Sequence, residues 1–197
     1  MSLFSKKTKI TIHAFTRLLT QCIIKANPIN CQLIKESESL SNTEKEKIIS
    51  ELLYFRLVLL YFMLLFKRKF GGKNYDESEL MEILSLGVCL AFEDNGINKK
   101  DAEKRTEIFL DKLQYYFELV LGTNENPIEI EENETYFHLV QRFRDDMLGV
   151  DGDKLAERVE DEKYMTKHHE VFHFVKQVYN LDENNFKKNL KEFKFVD

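Results

Sequence analysis

Three of the chain's five histidines, His168, His169 and His173, fall within six residues. With Glu170 they form His169-Glu170-Val171-Phe172-His173, the pattern HExxH. Residues four apart on a helix share a face, so two imidazoles at this spacing can ligate one zinc ion. The glutamate between them then stands where a general base activates the metal-bound water. A hydrolytic zinc centre needs a third protein ligand, and Glu192, 18 intervening residues after His173, is the candidate. This constellation nominates Glu170 as the catalytic residue and His169, His173 and Glu192 as metal ligands, with zinc as the ion.

The ligand spacing, Thr166 ahead of the motif, and the apolar Val171, Phe172, Phe174 and Val175 resemble the gluzincin metallopeptidases. That resemblance implies a zinc-dependent hydrolase whose cleft is built against a mixed sheet. The chain departs from the family pattern in three ways. Lys167 places a charge where the motif tolerates none, Glu192 lacks the asparagine usual beside it, and residues 40–122 do not read as strands. The helical wheel offers a plainer meaning. His168 shares the apolar face with Met165 and Phe172, as a core histidine would, whereas His169 and His173 share the wetter face with Glu162, Thr166, Lys176 and Asn180. Other constellations are incomplete. Glu170 and His173 make one Glu-x-x-His pair where a di-iron bundle needs two, Glu134 and His138 are four apart instead, and Asp151-Gly152-Asp153 reads as a turn, not a calcium loop.

The elements that would position these residues are helices. The 197 residues include only 7 Gly and 2 Pro, too few for the turns of an all-β fold, while 16 Phe and 8 Tyr supply an aromatic core. Apolar residues at helical spacing (Ile12, Phe15, Leu19, Cys22, Ile23) predict a basic amphipathic helix over 8–25, ended by Asn27-Pro28. Ser41 with Glu44, or Thr43 with Glu46, offers a capping box for a long apolar helix through Phe66 that Gly71-Gly72 stops. Asp76 with Glu79 opens the next, to Asn95-Gly96, and Asn98 caps a fourth ending at Leu121-Gly122. Residues 123–134 read as an acidic loop, with Ile128 and Ile130 alternating with Glu. A helix to Leu148 follows, then a stretch over 154–180 bent near Glu160-Asp161-Glu162. Asp182 is expected to cap a last helix, 183–193. The expectation is an all-α, single-domain bundle of about seven helices over residues 1–197.

Ile48 to Phe66 approaches the length of a membrane span, but Glu51 and Arg56 lie inside it. It reads instead as a central helix buried nearly all round, with Arg56 expected to pair with Glu118 or Glu51.

Charge is unevenly spread along the chain. Residues 1–35 carry six bases and no acid, whereas residues 123–162 carry 13 acids against 4 bases within a net charge of −5. A basic N-terminal helix can touch an anionic membrane surface, but a solvated basic edge is the plainer reading. The acidic balance and the lack of a recognition motif argue against nucleic acid. Cys22, Cys31 and Cys89 show no paired spacing, which suits free thiols in a reducing, cytoplasmic setting. These observations lead to a non-enzymatic cytoplasmic helical protein that binds a protein partner or itself, without a cofactor. The rival is the zinc hydrolase.

Overall fold

The computed structural model describes residues 7–123, 126–127, 132–149 and 161–196. Their order is β1 (Thr8–Ile10), α1 (Ile12–Asn30), α2 (Gln32–Glu36), α3 (Asn42–Lys67), β2 (Lys69–Phe70), β3 (Lys73–Asn74), α4 (Glu77–Asp94), α5 (Lys99–Leu121), β4 (Gly122–Thr123), β5 (Asn126–Pro127), α6 (Glu132–Leu148), α7 (Glu162–Glu192) and β6 (Phe193–Phe195). Most of the chain is helical around a central apolar helix, as its composition requires. Local chemistry sets most helix starts. Ser41 and Glu44 form a reciprocal capping box at α3, as do Asp76 and Glu79 at α4. At α5 the Asp101 N–H donates to Asn98 Oδ1 at 3.0 Å. Asp161 accepts from the Tyr164 N–H at the start of α7.

Helix α3 is the hub, packing against each of the other described helices. Its residues Phe55 to Leu65 are buried without a break. By length and composition this helix could cross a membrane, yet 72% of its most apolar window is covered by the protein. Phe55 stacks on Phe143 of α6 at 4.4 Å and meets Tyr116 of α5 edge-on at 5.4 Å, fastening three helices through one ring. A second aromatic knot centres on Phe15 of α1. It meets Phe195 of β6 at 4.9 Å, Phe186 of α7 at 6.0 Å and Phe70 of β2 at 6.2 Å.

Helices α1 and α4 approach closely at Gly87. A Cβ there would stand 3.0 Å from Thr16 Oγ1 and 3.3 Å from the Arg17 backbone nitrogen. We therefore expect Gly87→Val to cost about 1–3 kcal/mol through overpacking. Urea titration of the variant checks this, and an unchanged midpoint would show that the two helices have room to part.

The expected count of about seven helices is slightly high for the long elements. The described residues form six long helices and the five-residue α2. The two helices expected at 154–180 and 183–193 are one, because α7 runs unbroken from Glu162 to Glu192; residues 154–160 lie outside the described residues. No Pro or Gly interrupts it, and the Asp182 carboxylate is drawn to Arg56 rather than to its own backbone. At the other end, α1 starts four residues later than expected and runs through Pro28 to Asn30. Arg56 steadies that turn by donating to the Ile23 carbonyl at 3.3 Å and to Asn27 Oδ1 at 3.2 Å.

The fold also contains short strands. β1 pairs in parallel with β6, aligning Thr8 with Phe193 and Ile10 with Phe195. β2 and β3 form a hairpin through Gly71 (φ 63°) and Gly72 (φ 99°), and β4 pairs with β5. Gly71-Gly72 thus does more than stop a helix: both positive φ values suit residues without a Cβ and turn the chain back.

Candidate functional site

The HExxH segment lies in the first half of α7. His169 and His173 are exposed one turn apart, with ring centroids 4.2 Å from each other, so the two imidazoles do share a face. Glu170 is half-buried and accepts a hydrogen bond from the Ser39 hydroxyl in the loop between α2 and α3. One turn earlier, Lys167 donates to both Glu44 oxygens, at 2.8 and 3.0 Å. Burial acts to raise the Glu44 pKa, but its bonds from Lys167 and Ser41 outweigh that and hold it below the usual carboxylate range. This part of α7 is therefore tied to the start of α3 by Lys167 and to the preceding loop by Glu170.

Glu192 ends the same helix, 19 residues beyond His173. At 1.5 Å per residue that separation is about 28 Å, far outside a shared coordination sphere. Among the described residues, no three side chains of His, Cys, Asp or Glu gather closely enough to hold an ion. We expect the His169–His173 pair to take up zinc or nickel weakly and to release it on dialysis. Stoichiometric zinc retained by untagged protein, together with peptide hydrolysis lost in Glu170→Gln, would overturn that expectation.

His168 lies on the opposite side, 2% exposed, with its ring tilted against that of Tyr164 at 4.3 Å. Neither ring nitrogen is hydrogen-bonded among the described residues, and the Asp145 carboxylate stands 3.9 Å from Nδ1. Burial, aided by the Arg144 charge and opposed by Asp145, lowers its pKa below the ordinary histidine value. The folded chain therefore binds this proton less readily than the unfolded chain. Its contribution to stability is present above about pH 6.5 and is lost as pH falls below it. Thermal melts from about pH 7.5 to 5.5 should show a steeper loss for the parent than for His168→Phe. Equal slopes would count against this role for His168.

Arg56 is 1% exposed in the middle of α3. It meets Asp182 of α7 through two bonds, Nε to Oδ2 at 2.8 Å and Nη2 to Oδ1 at 2.7 Å. Neither expected partner, Glu118 nor Glu51, fills that place; Glu51 instead pairs with Lys112 at 2.7 Å. The remaining Arg56 bonds go to Ile23 and Asn27 of α1, so this side chain joins three helices and holds Asn27 in place.

Asn27 borders a groove of about 820 Å³. Its apolar lining comes from Ile49, Leu53 and Tyr54 of α3, Ile97 of the α4–α5 turn, and Ile108 of α5. Lys104 and Arg105 of α5 stand on its rim, both exposed. Neither has a carboxylate partner within ion-pair distance among the described residues. Arg105 instead lies 5.5 Å above the Phe92 ring. The rim acid, Asp101, already accepts from Asn98 Nδ2 at 2.7 Å. A smaller groove of about 310 Å³ between α6 and α7 is lined by Tyr136, Phe137, Val140, Phe172, Tyr179 and Lys176. Phe137 is half exposed there.

No protein family, curated protein or solved structure matches the chain. Function must therefore be argued from these surfaces. Neither of these grooves was visible in the sequence. Lys104 and Arg105 look like ordinary solvated charges on α5, and only the packing of α5 across α3 sets them over an apolar floor. The exposed Ile29 and Leu33, by contrast, carried a visible signal, two aliphatic residues four apart just after Pro28.

Proposed function

We propose that this is a non-enzymatic cytoplasmic helical protein that acts by binding a protein partner or a second copy of itself. The observation that carries the reading is the groove over α3, where half-buried aliphatic side chains form a floor beneath cations without carboxylate partners. Contiguous apolar surface of this kind, rimmed by polar groups, is what interaction sites present. Aliphatic and aromatic side chains left uncovered elsewhere support it: Ile29 is 75% exposed, Leu33 57% and Phe137 50%. The three free cysteines support the reducing compartment.

The strongly basic start of the chain and its acidic middle suggest pairing within the fold or between molecules. Within the fold, Arg17 of the basic stretch bonds to Asp94 of α4 rather than to the acidic middle, much of which lies outside the described residues. If charge drives association, sedimentation should show larger species at low salt that dissolve at high salt, since exposed charges are screened beyond roughly 8 Å at physiological ionic strength. The reading as a whole is tested by placing a photoreactive residue at Leu33, Phe137 or Ile108, with Lys100 as control. Irradiation in cells that make the protein should yield discrete adducts at one or more of the three apolar positions and not at the control. Twice the chain's mass identifies a second copy, another mass a partner. No adduct at any of the three positions would refute the proposal.

A further inference from the structure

The groove over α3 is bordered by residues of three helices. Helix α3 provides its floor, α5 and the α4–α5 turn one wall, and Asn27 of α1 a point on the other. Ile49 and Leu53 lie one turn apart on the floor, a spacing that meshes with the i, i+3, i+4 ridge of another helix. Its apolar residues are only partly covered by the protein's own packing. Charge selects among possible occupants. Lys104 and Arg105 lie one after the other on the rim and have no carboxylate within ion-pair distance among the described residues, while Asp101 remains an anion as it accepts from Asn98. Two cations against the one carboxylate of Asp101 leave the groove's lining with a local excess of one positive charge, which favours an incoming carboxylate there although the chain as a whole is acidic.

We infer that the groove binds an amphipathic, acidic helix of a partner protein. The partner's aliphatic residues at i, i+3/i+4 and i+7 enter between α3 and α5, and its Asp or Glu residues on the flank meet Lys104 and Arg105. This rests on the interaction reading above and names the partner's chemistry. Arg56 contributes indirectly: by holding Asn27 and the Ile23 carbonyl, it positions the end of α1 that borders the groove.

The test is selection from a displayed library of randomised amphipathic helices against the full chain, in parallel with the Lys104→Glu/Arg105→Glu variant. Both substituted side chains are exposed, so the variant should fold, which its circular dichroism and melting temperature verify. Helices enriched on the parent should carry the spaced aliphatic pattern and an acidic flank. They should bind the double variant about ten-fold or more weakly, and helices enriched on the variant should carry basic flanks. With methyl-labelled isoleucine, the selected peptide should shift the resonances of Ile49, Ile97 and Ile108. Three results overturn the inference: no enriched helix, enrichment without acidic bias, or methyl shifts confined to other sites. Concentration-dependent shifts of the same three methyls without peptide also overturn it, in favour of a second copy. Should the inference fail while adducts still form at Leu33 or Phe137, the interaction reading survives with its surface elsewhere.

Discussion

Asp182→Ala should cost about 3–5 kcal/mol of stability, because it leaves the Arg56 guanidinium buried without a counter-charge. Both side chains are almost wholly enclosed, at 2% and 6% exposure, and their two bonds are short and bidentate. Removing the carboxylate strands a charge that water cannot reach, which is far worse than removing the pair together. The double variant Arg56→Met/Asp182→Leu should therefore recover most of the loss, short of the donors that Ile23 and Asn27 no longer receive. Chemical denaturation of parent, single and double variants completes the cycle. A loss below about 1 kcal/mol for Asp182→Ala would place the pair in the class of surface ion pairs and contradict the enclosure described above.

Leu60→Ala should cost about 2–5 kcal/mol, through lost burial and the cavity left behind. Leu60 is 3% exposed and sits in the run from Phe55 to Leu65, of which every member is buried. Several helices press on α3, so relaxation of one cannot fill the space without disturbing the others. The same denaturation measurement checks the figure. A loss under about 1 kcal/mol would mean that α3 repacks freely, at odds with its role as the hub.

The features legible in the sequence were those decided by neighbours in the chain. Ser41 with Glu44 and Asp76 with Glu79 marked helix starts because a capping box is closed by residues three apart. The burial of α3 was legible because its apolar run has no polar face to turn to water. Interactions between distant residues were not. Arg56 could be recognised as needing a partner, but Glu51 and Glu118 were as good on paper as Asp182, which is 126 positions away. Asp182 itself resembled a helix cap, since a local cap and a distant ion pair use the same carboxylate. Pro28 looked like a terminator because the penalty it imposes is local, whereas the donors from Arg56 that steady its turn come from another helix. The strand pair β1–β6 joins three-residue segments from opposite ends of the described chain, each too short for periodicity to reveal. Of the candidate site, the shared face of His169 and His173 was legible from a spacing of four. The continuity of α7 supplies the distance that separates Glu192 from them.

That strand pair also settles how tension would pass through the molecule. Because β1 and β6 run parallel, a pull applied before Thr8 and after Phe195 drags the two strands along their own axes in opposite directions. Their rungs then carry the load together, in shear, whereas a hairpin pulled apart at its open end yields one rung at a time. Phe15, wedged against Phe193 and Phe195, adds friction to the slide. A tether at both ends would thus meet a small clasp first, and the helices behind it would bear no force until the clasp gave way.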